Sequence, residues 1–252
     1  MNGLFIKQLG ISDGIPEGNY ISRIPTVKNL IRKETLPFRK PVTFFVGENG
    51  IGKSTLIEAI AVNADFNPEG GTVNFNFSTR QSHSDLYKYL LVAKGPKRYR
   101  DGFFLRAESF FNVATNIEDM DKEPSFGPPV ITHYGGVSLH EQSHGESFLA
   151  LVENRFSDSG LYILDEPEAA LSPTGIMRLI CNIDRLAKSG SQFIISTHSP
   201  ILMAYPNADI YEITANSIKP VPYNETEHYR VTKEFINNPD AMLNVLLRQN
   251  ES

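Results

Sequence analysis

Gly47-Glu-Asn-Gly-Ile-Gly-Lys53-Ser54-Thr55 is a full match to the phosphate-binding pattern G-x-x-x-x-G-K-[ST]. Its setting is the one the chemistry needs. Upstream, Pro41 to Val46 is a short apolar, β-branched run that reads as a buried strand. Downstream, Lys53 to Ala61 carries Leu56, Ile57 and Ile60 on one helical face. The glycines let successive backbone N–H groups curl inward around a phosphate. Lys53 supplies a positive charge at the β/γ oxygens, and the Ser54 hydroxyl can ligate Mg2+. The helix that follows turns its positive end to the same group. Gly47, Glu48, Asn49, Gly50, Ile51, Gly52, Lys53, Ser54 and Thr55 are therefore candidate ATP-binding residues. An incidental glycine turn would not require a strand before it and a helix after it.

Three later segments supply what a phosphate loop alone lacks. Leu161-Tyr-Ile-Leu-Asp165-Glu166 reads as a buried strand ending in two carboxylates. Asp165 at the carboxyl edge of a sheet can hold the Mg2+ shell, and Glu166 can orient and deprotonate an attacking water. As an isolated segment it could equally be an acidic helix start; the upstream loop decides for catalysis. Ile194-Ile-Ser-Thr-His198-Ser-Pro follows another buried strand, and His198 at its end can reach a γ-phosphate. Ser143-His-Gly-Glu146 reads as a capping box. A helix start with a serine and a glycine is also an anion site, so Ser143, Gly145 and Glu146 are candidates for a phosphate presented by a second subunit.

His140-Glu-Gln-Ser-His144 matches H-E-x-x-H, the zinc-protease pattern. That chemistry needs both histidines on one helix with Glu141 as base. Gly135-Gly136 before and Gly145 after place the helix start near Ser143, which speaks against zinc.

Around these motifs the chain alternates strands and helices, which argues for a mainly parallel sheet covered on both faces. Ser172 caps a helix that starts at Pro173 and stops at Gly190, with Ile176, Leu179, Ile180, Ile183 and Leu186 as its apolar stripe. Strands are expected at Thr72–Phe77, 103–105, 192–196, 210–213 and 218–221, and a helical tail at the C-terminus. Residues from about 79 to 145 read as an inserted, mainly helical subdomain, with a helical piece at Ser84–Lys94 and a basic turn at Lys94–Arg106.

The 252 residues are 40% hydrophobic and 21% charged, which excludes wholesale disorder. A net charge of −5 gives no general reason to expect nucleic acid. Cys181 is the single cysteine, so no intramolecular disulfide can form. No stretch approaches the roughly 18 apolar residues of a membrane span, and the N-terminus lacks a signal-peptide core, so a cytoplasmic protein is expected.

In the order phosphate loop, insertion, signature, Asp-Glu strand and histidine, the chain resembles the ATP-binding-cassette (ABC-type) ATPase superfamily over most of residues 1–200. GENGIGKST, LDEPEAAL and STHSP look less like transporter subunits than like soluble ATPases related to chromosome-maintenance and DNA-repair heads. Tyr223-Asn-Glu-Thr-Glu-His-Tyr229 looks like one small family of them. The resemblance implies an α/β fold, a mainly parallel core sheet with antiparallel elements, over one domain at 1–252. It implies a homodimer closed around ATP, with Ser143, Gly145 and Glu146 as the signature and Ala169–Ser172 as the loop joining the two sites. The signature here is SHGE rather than LSGGQ, and the usual glutamine after the insertion's strand has only Glu108 as its nearest counterpart. No coiled-coil arms interrupt the chain and little follows His198, so work would be delivered to a separate effector, in DNA repair or defence. DNA stays open as a partner; a membrane transporter's ATP-binding subunit is the alternative.

Overall fold

In the computed structural model the described residues are 3–16, 18–72, 84–108, 110–122 and 129–248. The chain forms nine strands there: β1 (Ile6–Ile11), β2 (Thr35–Pro37), β3 (Val42–Val46), β4 (Leu90–Lys94), β5 (Asp101–Arg106), β6 (Gly160–Asp165), β7 (Gln192–Ser196), β8 (Ala208–Ile213) and β9 (Ile218–Pro220). Its α-helices are α1 (Pro25–Lys33), α2 (Lys53–Asn63), α3 (Phe110–Lys122), α4 (His144–Arg155), α5 (Pro173–Lys188), α6 (Pro200–Met203), α7 (Glu227–Asn237) and α8 (Pro239–Arg248).

The strands make two sheets. The larger has the order β5-β6-β7-β3-β8-β9, parallel throughout except for the β8/β9 edge. The smaller, β2-β1-β4, is antiparallel. Alternation along the central strands splits the core in two. Phe44, Tyr162, Leu164 and Phe193 face a cluster shared with α3, α4 and α5. Phe45, Leu161, Ile163 and Ile194 face the other, shared with α1, α2 and the small sheet. Both faces of the parallel sheet are covered, which is why its strands are continuous apolar runs.

Helix boundaries follow local chemistry. Ser172 Oγ accepts from Gly175 N at 3.1 Å, Pro173 occupies the first turn, and Gly190 follows the end with φ +88. Ile176, Leu179, Ile183 and Leu186 are buried as expected; Ile180 is half-buried, and Cys181 is exposed.

The mainly helical insertion at 79–145 needs correction. Ser84–Lys94 is not a helix: only Asp85–Lys88 forms a short 3-10 turn, and β4 follows, paired with β1. β5, also inside that interval, is an edge strand of the main sheet, paired with β6 from Asp101–Gly160 to Arg106–Asp165. Backbone pairing to strands distant in sequence overrides the local pattern. Among the described residues of that interval the helical elements are the 3-10 turn at Asp85–Lys88, α3, a 3-10 turn at Val130–Tyr134 and the start of α4. Val73 to Phe77, most of one expected strand, lies outside the described residues.

Candidate functional site

Three β-strands deliver the motif residues to one edge. β3 lies between β7 and β8, and β6 lies beside β7. Being parallel, they all end on the same side of the sheet, so the phosphate loop, Asp165-Glu166 and His198 emerge together.

The loop leaves β3 through Gly47 at φ +148, Gly50 at +77 and Gly52 at +99. A Cβ on Gly47 would stand 2.2 Å from the Ile213 carbonyl oxygen, so β8 passes too close for any other residue. From α1, the Thr26 backbone N–H and hydroxyl both donate to Ile51 O, at 3.2 and 2.7 Å, pinning the loop from outside. Lys53 is buried, and its Nζ donates to Gly47 O and Glu48 O, each at 2.9 Å. Burial lowers its pKa, against the opposing pull of Glu166, Asp165 and Glu168. Ser54 and Thr55 are half-buried at the first turn of α2, while Glu48, Asn49 and Gly50 are exposed.

Asp165 ends β6 buried between two strands. Its Oδ1 accepts from Ser196 Oγ at 2.5 Å, and its Oδ2 lies 3.0 Å from Arg106 Nε. Arg106 also reaches Glu58 Oε2 on α2 at 3.2 Å. One guanidinium therefore ties β5, β6 and the phosphate-loop helix together. Burial opposes its charge, but Asp165 and Glu58 outweigh it, and its pKa ends above the ordinary value.

Glu166 adopts the left-handed conformation, φ 49, which costs a non-glycine residue roughly 1–2 kcal/mol. The turn is held by Glu166 N donating to Ser196 O at 3.1 Å. Its carboxyl pKa is raised, first by burial and then by the neighbouring Asp165 charge, with Lys53 opposing. A carboxylate shifted upward is the better proton acceptor near neutral pH. Exposed Glu108, in the turn after β5, pushes the same carboxyl up more weakly.

His198 stands 3.4 Å (Nε2) from Glu166 Oε1. Its backbone N–H donates to Glu168 Oε1 at 2.5 Å, and its Nδ1 lies 2.8 Å from His228 Nε2. Burial, then Lys53 and His228, push its pKa down to about 4.

Ser143 caps α4 in a full capping box: its Oγ accepts from Glu146 N, and Glu146 Oε2 accepts from Ser143 N at 3.2 Å and Ser143 Oγ at 2.6 Å. Those hydrogen bonds hold the Glu146 carboxyl below its ordinary pKa. Ser143, Gly145 and Glu146 line a cavity of about 340 Å3 with Ala170, Leu171 and Ser172. No hydrogen bond or ion pair among the described residues joins this group to Lys53, Asp165, Glu166 or His198. Ala170, Leu171 and Ser172, which follow the β6 carboxylates in sequence, line that same cavity.

His140 and His144 do not share a helix, because α4 begins at His144. His140 contacts Thr115 Oγ1 at 3.2 Å and packs on Phe111, whereas His144 packs on Phe110. Among the described residues no group of three or more histidine, cysteine or acidic side chains is arranged to hold a metal ion.

Sequence reasoning missed Arg106, Glu58, Ser196, Glu168 and His228. Arg106 carried a usable signal, a charged residue ending an apolar strand as Asp165 does. The other four are placed only by tertiary packing.

Known proteins share sequence and fold with this chain. A family model described as "AAA domain" matches residues 26–86, and one described as "AAA domain, putative AbiEii toxin, Type IV TA system" matches 130–204. The energy-coupling factor transporter ATP-binding protein EcfA2 of Methanospirillum hungatei is 27% identical over 188 residues, 65% of this chain and 43% of that protein. The cobalt import ATP-binding protein CbiO of Salmonella typhimurium is 27% identical over 185 residues, 69% of this chain and 65% of that protein. The chain thus spans from under half to about two thirds of the length of these relatives. Among solved structures, MJ1267, an ATP-binding cassette of an ABC transporter, superposes with a TM-score of 0.50 at 16% identity, covering 95% of this chain and 97% of that one, so the two share a fold. Matched family descriptions and relatives are those of P-loop ATPases and of ABC-type ATP-binding proteins, and this chain is similar to them over both the phosphate-loop and the Asp-Glu halves of the main sheet.

Proposed function

We propose that this chain binds ATP with Mg2+ at the β3–α2 loop and hydrolyses it, using Glu166 as the base, in a dimer that completes each site. The observation that carries the reading is the convergence of Lys53, Asp165 and Glu166, close enough that both carboxylates act on the Lys53 charge. In the folded chain Lys53 Nζ is held by two loop carbonyls. Phosphate oxygens offer it a charged partner instead, and charge-assisted bonds are the stronger kind. Ser54 and Asp165 present a hydroxyl and a carboxylate, an all-oxygen donor set that suits Mg2+. The ion would neutralise charge developing on the transferred phosphoryl group. Glu166 orients and deprotonates the attacking water. His198 donates toward the γ-phosphate.

Ser143, Gly145 and Glu146 line their own cavity at the start of α4, away from Lys53. A twofold, head-to-tail pair would set that helix start against the partner's γ-phosphate. Residues 3–248 would then act as one ATPase unit, with α3 and the Val130–Tyr134 turn as its helical insertion.

The biological output has two readings. One is a switch for a separate effector protein or DNA transaction, supported by the LDEPEAAL and STHSP resemblance and by a family description that names a toxin–antitoxin system. The other, an ATP-binding subunit docked on a membrane transporter, fits at least as well, because the curated relatives carry transporter names. No helix among the described residues is long and apolar enough to cross a membrane, so a transporter role would need a separate membrane-spanning partner. Affinity capture from solubilised membranes separates the readings: a transporter subunit brings down a polytopic protein. The activity is tested by phosphate release with Mg-ATP. Glu166→Gln should lose roughly 10²-fold in rate while still binding ATP; a variant that hydrolyses normally would move the base elsewhere.

A further inference from the structure

The segment Tyr223–Tyr229 contributes nothing to the roles assigned so far, yet it is built against the same edge of the sheet. Buried Thr226 caps α7, donating its hydroxyl to Tyr223 O at 2.8 Å and accepting from Tyr229 N at 3.3 Å. The Tyr223 and Tyr229 rings pack with centroids 4.6 Å apart. Glu227 N donates to Glu212 Oε1 at 3.1 Å, and Glu212 pairs with Val46, the residue just before the phosphate loop. These contacts hold the first turn of α7 in place and present His228 to His198.

The His228 Nε2 to His198 Nδ1 separation of 2.8 Å requires one proton between the two nitrogens. The rest of the geometry says which nitrogen carries it. His198 Nε2 is buried, makes no hydrogen bond within the protein, and lies 3.4 Å from Glu166 Oε1. An ionised carboxylate oxygen only accepts, so a bare His198 Nε2 would set lone pair against lone pair. His198 therefore carries its proton on Nε2, Nδ1 is the acceptor, and His228 Nε2–H is the donor. The tautomer of a functional histidine is set in this way by the bond its other nitrogen makes.

We infer that His228 is a positioning residue, whose Nε2–H bonded to His198 Nδ1 locks His198 with its remaining N–H aimed at Glu166 and the transferred phosphate. The phosphate half of this statement rests on the ATPase reading; the tautomer half does not. The nucleotide site is thereby tied to α7, whose Val231, Phe235 and Ile236 are exposed.

The test uses the full chain. His228→Ala should lower kcat about 10-fold or more, the usual scale for losing the partner that orients a functional histidine, with the ATP KM changed less than about threefold. His228→Gln, whose amide N–H can still donate, should recover most of the loss. In a His198→Ala background, His228→Ala should cost nothing further, because the two act as one unit. Nitrogen-15 NMR of the nucleotide-free protein should show His198 as the Nε2–H tautomer, and a tautomer mixture in His228→Ala. Wild-type kcat in His228→Ala, additive losses in the double variant, or a wild-type His198 protonated on Nδ1 would each overturn the inference. If the wild-type protein released no phosphate, the ATPase reading alone would fail, and the NMR result would still decide the role of His228.

Discussion

Arg106→Leu should destabilise the protein by about 3 kcal/mol, although no sequence motif marks this residue. Its guanidinium lies 3.0 Å from Asp165 and 3.2 Å from Glu58, and its side chain is only 19% exposed. The two carboxylate side chains are 5% and 10% exposed. Removing one partner from a buried pair typically costs about 3–5 kcal/mol, because the remaining charge is left uncompensated. The lower end applies here. Asp165 keeps its bond from Ser196 Oγ, and Glu58 keeps one from Ser84 N at 2.8 Å. For a chain of this length, each kcal/mol lowers Tm by about 2–4 °C, so a fall of about 6–12 °C is expected. Urea unfolding should show a lower midpoint with an unchanged slope. Arg106→Lys should recover part of the loss, since an ammonium can serve one carboxylate but not clamp both. A loss below about 1 kcal/mol in Arg106→Leu, the range of solvent-exposed ion pairs, would mean that Asp165 and Glu58 do not depend on the guanidinium.

Gly47→Ala should abolish measurable ATP binding, because the added Cβ would stand 2.2 Å from Ile213 O, whereas Gly50→Ala meets nothing within 4 Å and should pay only backbone strain of about 1–2 kcal/mol. Calorimetric titration of both variants checks this; equal affinities would contradict it. His198 is held at about 4 in the folded protein against about 6.5 unfolded, so the unfolded chain binds more protons between those values. Its contribution to stability is lost as pH falls from about 6.5 to about 4. The raised pKa values of Glu166 and Glu168 work the other way, favouring the fold as they protonate. The wild-type advantage over His198→Asn in urea unfolding should therefore shrink across that window, and parallel curves would contradict the assignment.

The parts legible in the sequence are those whose chemistry is contiguous. An apolar run stopped by Gly47, and another stopped by Asp165, announce strand ends and the groups they carry. Ser172, Pro173 and Gly190 likewise mark both ends of α5. The parts that were not legible depend on pairings between distant residues. Arg106 meets Asp165 through a parallel register between residues 59 positions apart. Leu86 and Leu90 have helical spacing, yet Leu90 begins β4, because pairing with β1 satisfies a longer row of backbone groups. β1 does not alternate cleanly, β2 is three residues long and ends in Pro37, and α1 begins at Ile24-Pro25 with no side-chain cap. His228 lies 30 residues from His198 and becomes its neighbour only because Thr226 and Glu212 fix the first turn of α7.

The proposed function turns on Lys53, among the carboxylates at the end of β6, as the phosphate ligand of a Mg-ATP site. Isothermal titration of ATP with Mg2+ into the wild-type chain and into Lys53→Ala tests it most directly. Saturable binding is expected for the wild type and none for the variant, whose loop loses its one buried positive charge. Undiminished affinity in Lys53→Ala would contradict it.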